Sequence, residues 1–334
     1  MNFGSLSDLS RSYSMQSRNA SLKADIQRLT VELASGQTEN VRDAVGNNSS
    51  YISDLERSLT KLDGYELATL ETRQFATSAQ TALSFISDLN IGFSSTMLGT
   101  TNSALGETTD AAVNQAQTSL DDVIGALNTD VAGRRLFSGV ATDTAPIASS
   151  DDLLAGLRAA MTGAGTVDDM LAAADAWFAD PAGFGTTGYL GSDTSMAPVA
   201  LSDEDSAAFT LRADEPALRD VLRNMAVAAL TTDPALALTE AQQSELLQKT
   251  SDDVLSSTEA LIGLQTETGF LEAKLETTTV RQGAERASLE IARSDLLSVD
   301  PYKAATELEQ VQFQLQSLYA ITSRMQSLSL VNYL

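Results

Sequence analysis

The stretch Asp300-Pro301-Tyr302-Lys303-Ala304-Ala305-Thr306-Glu307-Leu308 decides the fold. Asp caps exposed helix amides, and Pro suits the first helical position, where its missing N–H costs nothing. Leu308, Val311, Leu315, Leu318, Thr322 and Met325 then follow at alternating spacings of three and four. This is a heptad seam. It predicts a helix from Pro301 to about Leu330, on the order of 45 Å long at 1.5 Å per residue.

Working outward, the other end of the chain repeats the pattern. Met15, Asn19, Leu22, Ile26, Leu29 and Leu33 alternate by four and three. Asn19 is the polar member. It either fixes register and partner number from inside the seam, at a cost in stability, or sits at the edge of a slightly rotated helix. Inside these ends lies a second helical pair. One stripe runs through Leu55, Leu59, Leu62, then Thr69 or Leu70, and on through Phe75, Ala79 and Leu83. The other begins at Thr239-Glu240-Ala241-Gln242, a capping box. It continues through Leu246, Val254, Leu261, Leu264, Leu271, Leu275, Leu289 and Leu296. Helices this long cannot wrap a compact core and must lie along partner helices.

All six prolines stand at or beyond Pro146, and five lie between Pro146 and Pro234, so residues 1–145 and 235–300 are free to run as long helices. Residues 140–239 differ in character, with 15 acidic and 4 basic side chains and no lysine. There Asp151–Met161, Val167–Phe178 and Pro216–Leu230 read as helices, Ala207–Leu211 as a strand, and Thr186–Leu201 as loop with short strands. The expected fold is mainly α: long antiparallel, coiled-coil helices from both termini form inner layers, and a small α+β outer domain is inserted. The expected parts are 1–45 with 296–334, 46–139 with 240–295, and 140–239.

The 334 residues carry a net charge of −24, with no cysteine and no histidine. Disulfides and thiolate or imidazole metal sites are excluded, as is Cys or His catalysis. A field of this sign repels nucleic acid. The longest apolar run, Met225–Leu230, is far short of the ~20 residues of a membrane span, and the first residues lack a signal-peptide core. Acidic clusters at Asp151-Asp152, Asp168-Asp169, Asp203-Glu204-Asp205 and Asp214-Glu215 read as solvated surface or helix-start acids meeting the macrodipole. No catalytic, cofactor or metal residue is assigned, and the chain is expected not to be an enzyme.

Residues 1–33 hold four basic and three acidic side chains, and residues 301–334 two of each. Such charge-poor, heptad-patterned ends are what burial between subunits requires, since unpaired buried charges are costly. An intramolecular hairpin of the two ends explains the heptads equally well. The apolar ending Leu328–Leu334 favours a contact between molecules.

Four segments resemble the flagellin superfamily, in its hook–filament junction branch. Leu29–Gly36 is similar to the family's end of the first helix. Gly133-Arg134-Arg135-Leu136-Phe137-Ser138-Gly139 and the residues to Pro146 resemble its hinge into the outer domain, although Arg135 stands where Tyr is common. Asp300–Leu308 resembles the start of its last helix, and Leu328-Ser329-Leu330-Val331-Asn332-Tyr333-Leu334 its ending. The resemblance implies a structural part of the extracellular flagellum, exported unfolded without a cleaved signal peptide and free of cofactors. It implies hook-associated protein 1, flagellin, copies of itself and a cytoplasmic export chaperone as partners. The implied subunit interface is Met15, Asn19, Leu22, Ile26, Leu29, Leu33, Leu308, Val311, Leu315, Leu318, Thr322, Met325, Leu330, Tyr333 and Leu334. The implied hinge is Gly133, Arg134, Phe137 and Gly139.

Overall fold

The structure, a computed structural model, describes residues 3–41, 49–101 and 106–331. In chain order these form α1 (Phe3–Ser35), α2 (Ser49–Thr101), α3 (Gly106–Leu127), the two-residue strands β1 (Asp130–Val131) and β2 (Arg134–Arg135), α4 (Ser150–Met161), α5 (Val167–Ala179) and α6 (Phe184–Thr187). There follow β3 (Val199–Ala200), β4 (Ser206–Ala207), α7 (Pro216–Ala229), α8 (Glu240–Leu297) and α9 (Pro301–Val331). The fold is mainly α, as the heptads and the proline distribution imply. The chain divides into two units, residues 1–62 with 283–334, and residues 63–282.

In the first unit α1 and α9 pack along one another. Gly36, at φ +70°, ends α1 with its amide on the Glu32 carbonyl at 2.8 Å, a left-handed cap that Gly adopts without penalty. Asp300 caps α9: its carboxylate accepts the Tyr302 amide at 2.9 Å, and its carbonyl the Ala304 amide at 3.0 Å. The two helix ends are tied to each other. Thr38 donates to the Leu297 carbonyl at 2.9 Å, Val299 to the Gly36 carbonyl at 2.9 Å, and Gln37 bridges Ser298 in antiparallel fashion. The pair is therefore an antiparallel hairpin of helices.

In the second unit residues 63–101 of α2 and 240–282 of α8 supply long apolar stripes. Phe75, Ala79, Leu83, Leu246, Val254 and Leu261 all lie in one continuous core. Of the two candidates at the Thr69/Leu70 step, Thr69 is inside and Leu70 is exposed. The core also takes in the second half of α7. Met225–Leu230, the longest apolar run, is entirely buried, whereas Arg219, Asp220 and Arg223 in the first half keep a polar side toward the surface. α7 packs on α3, α4 and α5 cover it, and α6 packs on α4 and α5. The capping box at the start of α8 forms, with Thr239 Oγ1 accepting the Gln242 amide at 3.3 Å and Gln242 Oε1 the Thr239 amide at 3.1 Å.

The strand expected over Ala207–Leu211 is only Ser206–Ala207, paired antiparallel with Val199–Ala200. Ala207 and Phe209 are both buried. Phe209 turns inward to meet the Phe75 ring edge-on at 6.1 Å rather than continue a ladder.

Candidate assembly surface and hinge

The seam residues of α1 and α9 face one another within the chain. Leu22 and Leu29 are buried, Met15, Asn19 and Ile26 half-buried; across from them Leu308, Val311, Leu315, Leu318, Thr322 and Met325 are all half-buried. Thr322 Oγ1 stands 3.9 Å from Met15 Sδ, which sets the register. Asn19 sits at the margin of the seam. Leu33 does not join it and is 39 % exposed. Its neighbour Glu32 turns inward instead, with its carboxylate accepting Arg28 Nη1 at 3.0 Å, the Glu39 amide at 3.0 Å and Thr38 Oγ1 at 3.2 Å. The helix end spends its last buried position on capping the loop. Tyr333 and Leu334 lie outside the described residues, as does the side chain of Leu330.

The sequence reading passed over the opposite faces of both helices. Tyr13 and Val31 are eighteen residues apart, which is five helical turns, and both are exposed, Val31 by 55 %. On α9 Tyr302 and Phe313, eleven residues or about three turns apart, are exposed on the side away from the seam, Phe313 by 69 %. Tyr319 and Ile321 flank them, half-exposed. The terminal pair thus has an apolar seam that the chain itself buries at Leu22 and Leu29 and half-covers elsewhere, and bare aromatic and aliphatic side chains outside it. Spacings of eleven and eighteen would have found the outer set, but a heptad search discards them.

The residues expected at the hinge belong to the second unit. Ala132 and Gly133, at φ +52° and +78°, are the central pair of a two-residue hairpin turn between β1 and β2, the form that requires positive φ twice. The Gly133 amide is held by Asp130 Oδ2 at 3.3 Å. Arg134 stands over the Phe75 ring at 5.1 Å, a cation–π contact, while Arg135 donates to the Asn128 carbonyl. Phe137 is fully buried, and its carbonyl accepts the Ala213 amide at 2.9 Å. Gly139, at φ +62°, passes so close to the next segment that a Cβ would meet the Thr194 carbonyl oxygen at 2.4 Å. That segment is fixed in turn by Arg212, which forks onto Asp214 at 2.7 and 3.0 Å and donates to the Asp193 carbonyl at 2.8 Å. The Asp214 carboxylate holds the Arg212 guanidinium above its ordinary pKa.

The acidic clusters are spent on structure. Asp152 and Asp169 sit in the first turns of α4 and α5, where Ser149 and Thr166 cap, and Asp169 completes a capping box. Asp205 pairs with Lys274 at 2.9 Å and Arg281 at 3.2 Å, and those two cations hold its carboxyl below the usual carboxylate range. Burial pushes Glu215 and Asp220 the other way. Among the described residues no group of three or more acidic side chains is placed to hold a metal ion, and no helix is long and apolar enough to cross a membrane.

Residues 256–334 match the model of the bacterial flagellin C-terminal helical region. No curated protein matches the chain by sequence. Among solved structures, the chain is similar to FlgL of Bacillus cereus, 15 % identical, with a TM-score of 0.52 over 72 % of this chain and 99 % of that one. It is also similar to a protein of Vibrio parahaemolyticus described as a flagellar hook-associated protein, 14 % identical, with a TM-score of 0.51 over 75 % and 97 %. The chain therefore carries, over residues 256–334, a segment that matches the flagellin C-terminal helical region, on a mainly α fold similar to that of FlgL.

Proposed function

We propose that this chain is a structural subunit of the bacterial flagellum that joins the hook, through hook-associated protein 1, to the flagellin filament. It leaves the cell unfolded, kept from aggregating by a cytoplasmic export chaperone, and assembles outside the cell with copies of itself. The observation that carries the reading is the terminal helix pair. Its seam is only half-covered within the chain, apart from buried Leu22 and Leu29, and Tyr13, Val31, Tyr302 and Phe313 remain in water. Full burial of such side chains is worth roughly 1.5–3 kcal/mol each, so a few of them suffice to drive packing of one pair against another. The near-neutral charge of these ends removes the penalty that the acidic remainder of the chain would impose. The seam residues then act indirectly, by holding the outer faces in place, and the Leu330–Leu334 tail docks on a neighbour. Gly133, Arg134, Phe137 and Gly139 form the stiff joint at which the chain leaves the long helices. The role is structural, and no catalytic or cofactor-binding residue is proposed.

Deletion of the gene tests the reading. A junction subunit predicts hooks without filaments and intact flagellin shed into the medium. Purified chain that extends filament seeds without limit would instead make it a filament subunit, and normal filaments in the deletion strain would end the flagellar reading.

A further inference from the structure

Residues 63–282 contain ten basic side chains, and nine of them find an oxygen acceptor. Arg73, Arg158, Arg212, Arg223, Lys249, Lys274 and Arg281 reach carboxylates, and Arg135 and Arg219 reach backbone carbonyls. Arg134 is the exception. Its partners among the described residues are the face of Phe75 at 5.1 Å and Met196 Sδ at 3.6 Å. In a chain with more than twice as many acids as bases, an exposed guanidinium without a carboxylate stands out.

Arg134 lines a half-open pocket of about 100 Å³. Phe75 and Phe209 line it edge to face, Met196 and Val199 add apolar wall, and Glu71 also borders it. An aromatic-lined cavity with a free cation fits an apolar side chain that has a carboxylate beside it. The same unit offers such a group. Phe270, on α8, is 72 % exposed and lies between Glu267 and Glu272 in sequence. Gly269 beside it adds no side chain, and apart from its two chain neighbours and the helix backbone nothing lies within 4 Å of where a Cβ there would stand. Glu272 is engaged by Thr77 at 2.8 Å, which leaves Glu267 as the acid to meet a neighbour.

We propose that the Arg134 pocket receives Phe270 of a second copy of this chain, with Glu267 of that copy paired to Arg134. The proposal rests on the assembly reading above and names a contact within it. Pocket and knob are different patches, so the contact is heterologous and generates rings or helical arrays when repeated. Two copies at −24 repel overall, and one opposite-charge pair placed at the point of insertion selects the register of approach.

The chain has no cysteine, so introduced thiols are unambiguous. Two differently tagged chains, Ala197→Cys in the pocket wall and Gly269→Cys beside the knob, are co-expressed in the deletion strain, and sheared flagella are oxidised. The expected result is a mixed disulfide between the two tags that outnumbers both homodisulfides. Arg134→Glu on the Ala197→Cys chain is expected to abolish the mixed product, and Glu267→Arg on the Gly269→Cys chain to restore it. Flagella that assemble with homodisulfides alone, with no disulfide, or with a mixed product indifferent to Arg134→Glu overturn the pocket contact and leave the assembly role standing. Failure of the unsubstituted chain to restore filaments overturns the assembly role, and the pocket contact with it.

Discussion

The side-chain amide of Gln282 donates to the backbone carbonyl of Leu201 at 2.9 Å, from inside the second unit. It also donates to Thr69 Oγ1 at 2.9 Å, and Leu201 itself is buried among Ala76, Ala207 and Leu275. One buried amide thus pins the β3–β4 hairpin to the long helices. Replacing it orphans a buried carbonyl, so Gln282→Ala is expected to cost about 1–3 kcal/mol. Gln282→Met restores volume but not the donor. Urea unfolding of both variants measures this; a Met variant as stable as the parent would assign the effect to packing.

Gly139 allows a test of the hinge. A methyl group there combines φ +62° with a Thr194 oxygen at 2.4 Å and a Ser192 oxygen at 2.9 Å. The left-handed conformation alone costs a non-glycine residue about 1–2 kcal/mol, and the overlap adds to it. Gly139→Ala is therefore expected to lower the melting temperature. Gly269→Ala, in the open interior of α8, is expected to raise stability by about 0.5–1 kcal/mol. Scanning calorimetry on the two variants should give shifts of opposite sign, and equal shifts would sink the argument.

Local signals were legible in the sequence because they depend only on neighbours in the chain. Asp300 and the Thr239–Gln242 box cap the helices they announce, and Gly36 ends α1. The heptad seam was also legible, since burial on a helix repeats. What it left open was which protein surface closes the seam, because residues of one chain and of a neighbour impose the same pattern. Leu33 lies outside the α1–α9 seam because the buried site at the end of α1 goes to a loop cap by Glu32, a choice made by residues 38 and 39. The β1–β2 hairpin escaped notice because two-residue strands are too short to show alternation. The place of Arg134 over Phe75 depends on residues 59 positions apart, beyond any periodic signal.

Asp205 makes stability depend on acid in a defined direction. Lys274 and Arg281 depress its folded pKa below the unfolded value of about 3.9. Its contribution is therefore complete above that pH and is lost as pH falls through it toward the folded value. Glu215 and Asp220 act oppositely, since burial raises their pKa values and protonation relieves them as pH drops. Asp205→Asn mimics the protonated acid. The parent is expected to be more stable than this variant at pH 7, with a smaller gap at an acid pH below about 3.9. Urea titrations at the two pH values check it, and a constant gap would show that the ion pairs contribute nothing.

Leu29 and Phe313 separate folding from assembly. Leu29 is 2 % exposed in the seam, so Leu29→Ala removes buried volume from the α1–α9 pair and is expected to cost about 2–5 kcal/mol there. Phe313 faces water on the other side of α9, so Phe313→Ala is expected to change the isolated chain by no more than about 0.5 kcal/mol. In the deletion strain the order reverses if the outer face is the assembly surface. Phe313→Ala should be exported and folded yet leave hooks bare, because only a neighbour ever buries that ring. Amide exchange on the purified variants reads the first effect, and electron microscopy of the cells reads the second. A Phe313→Ala chain that builds normal filaments would move the assembly surface away from this face of α9 and back toward the seam.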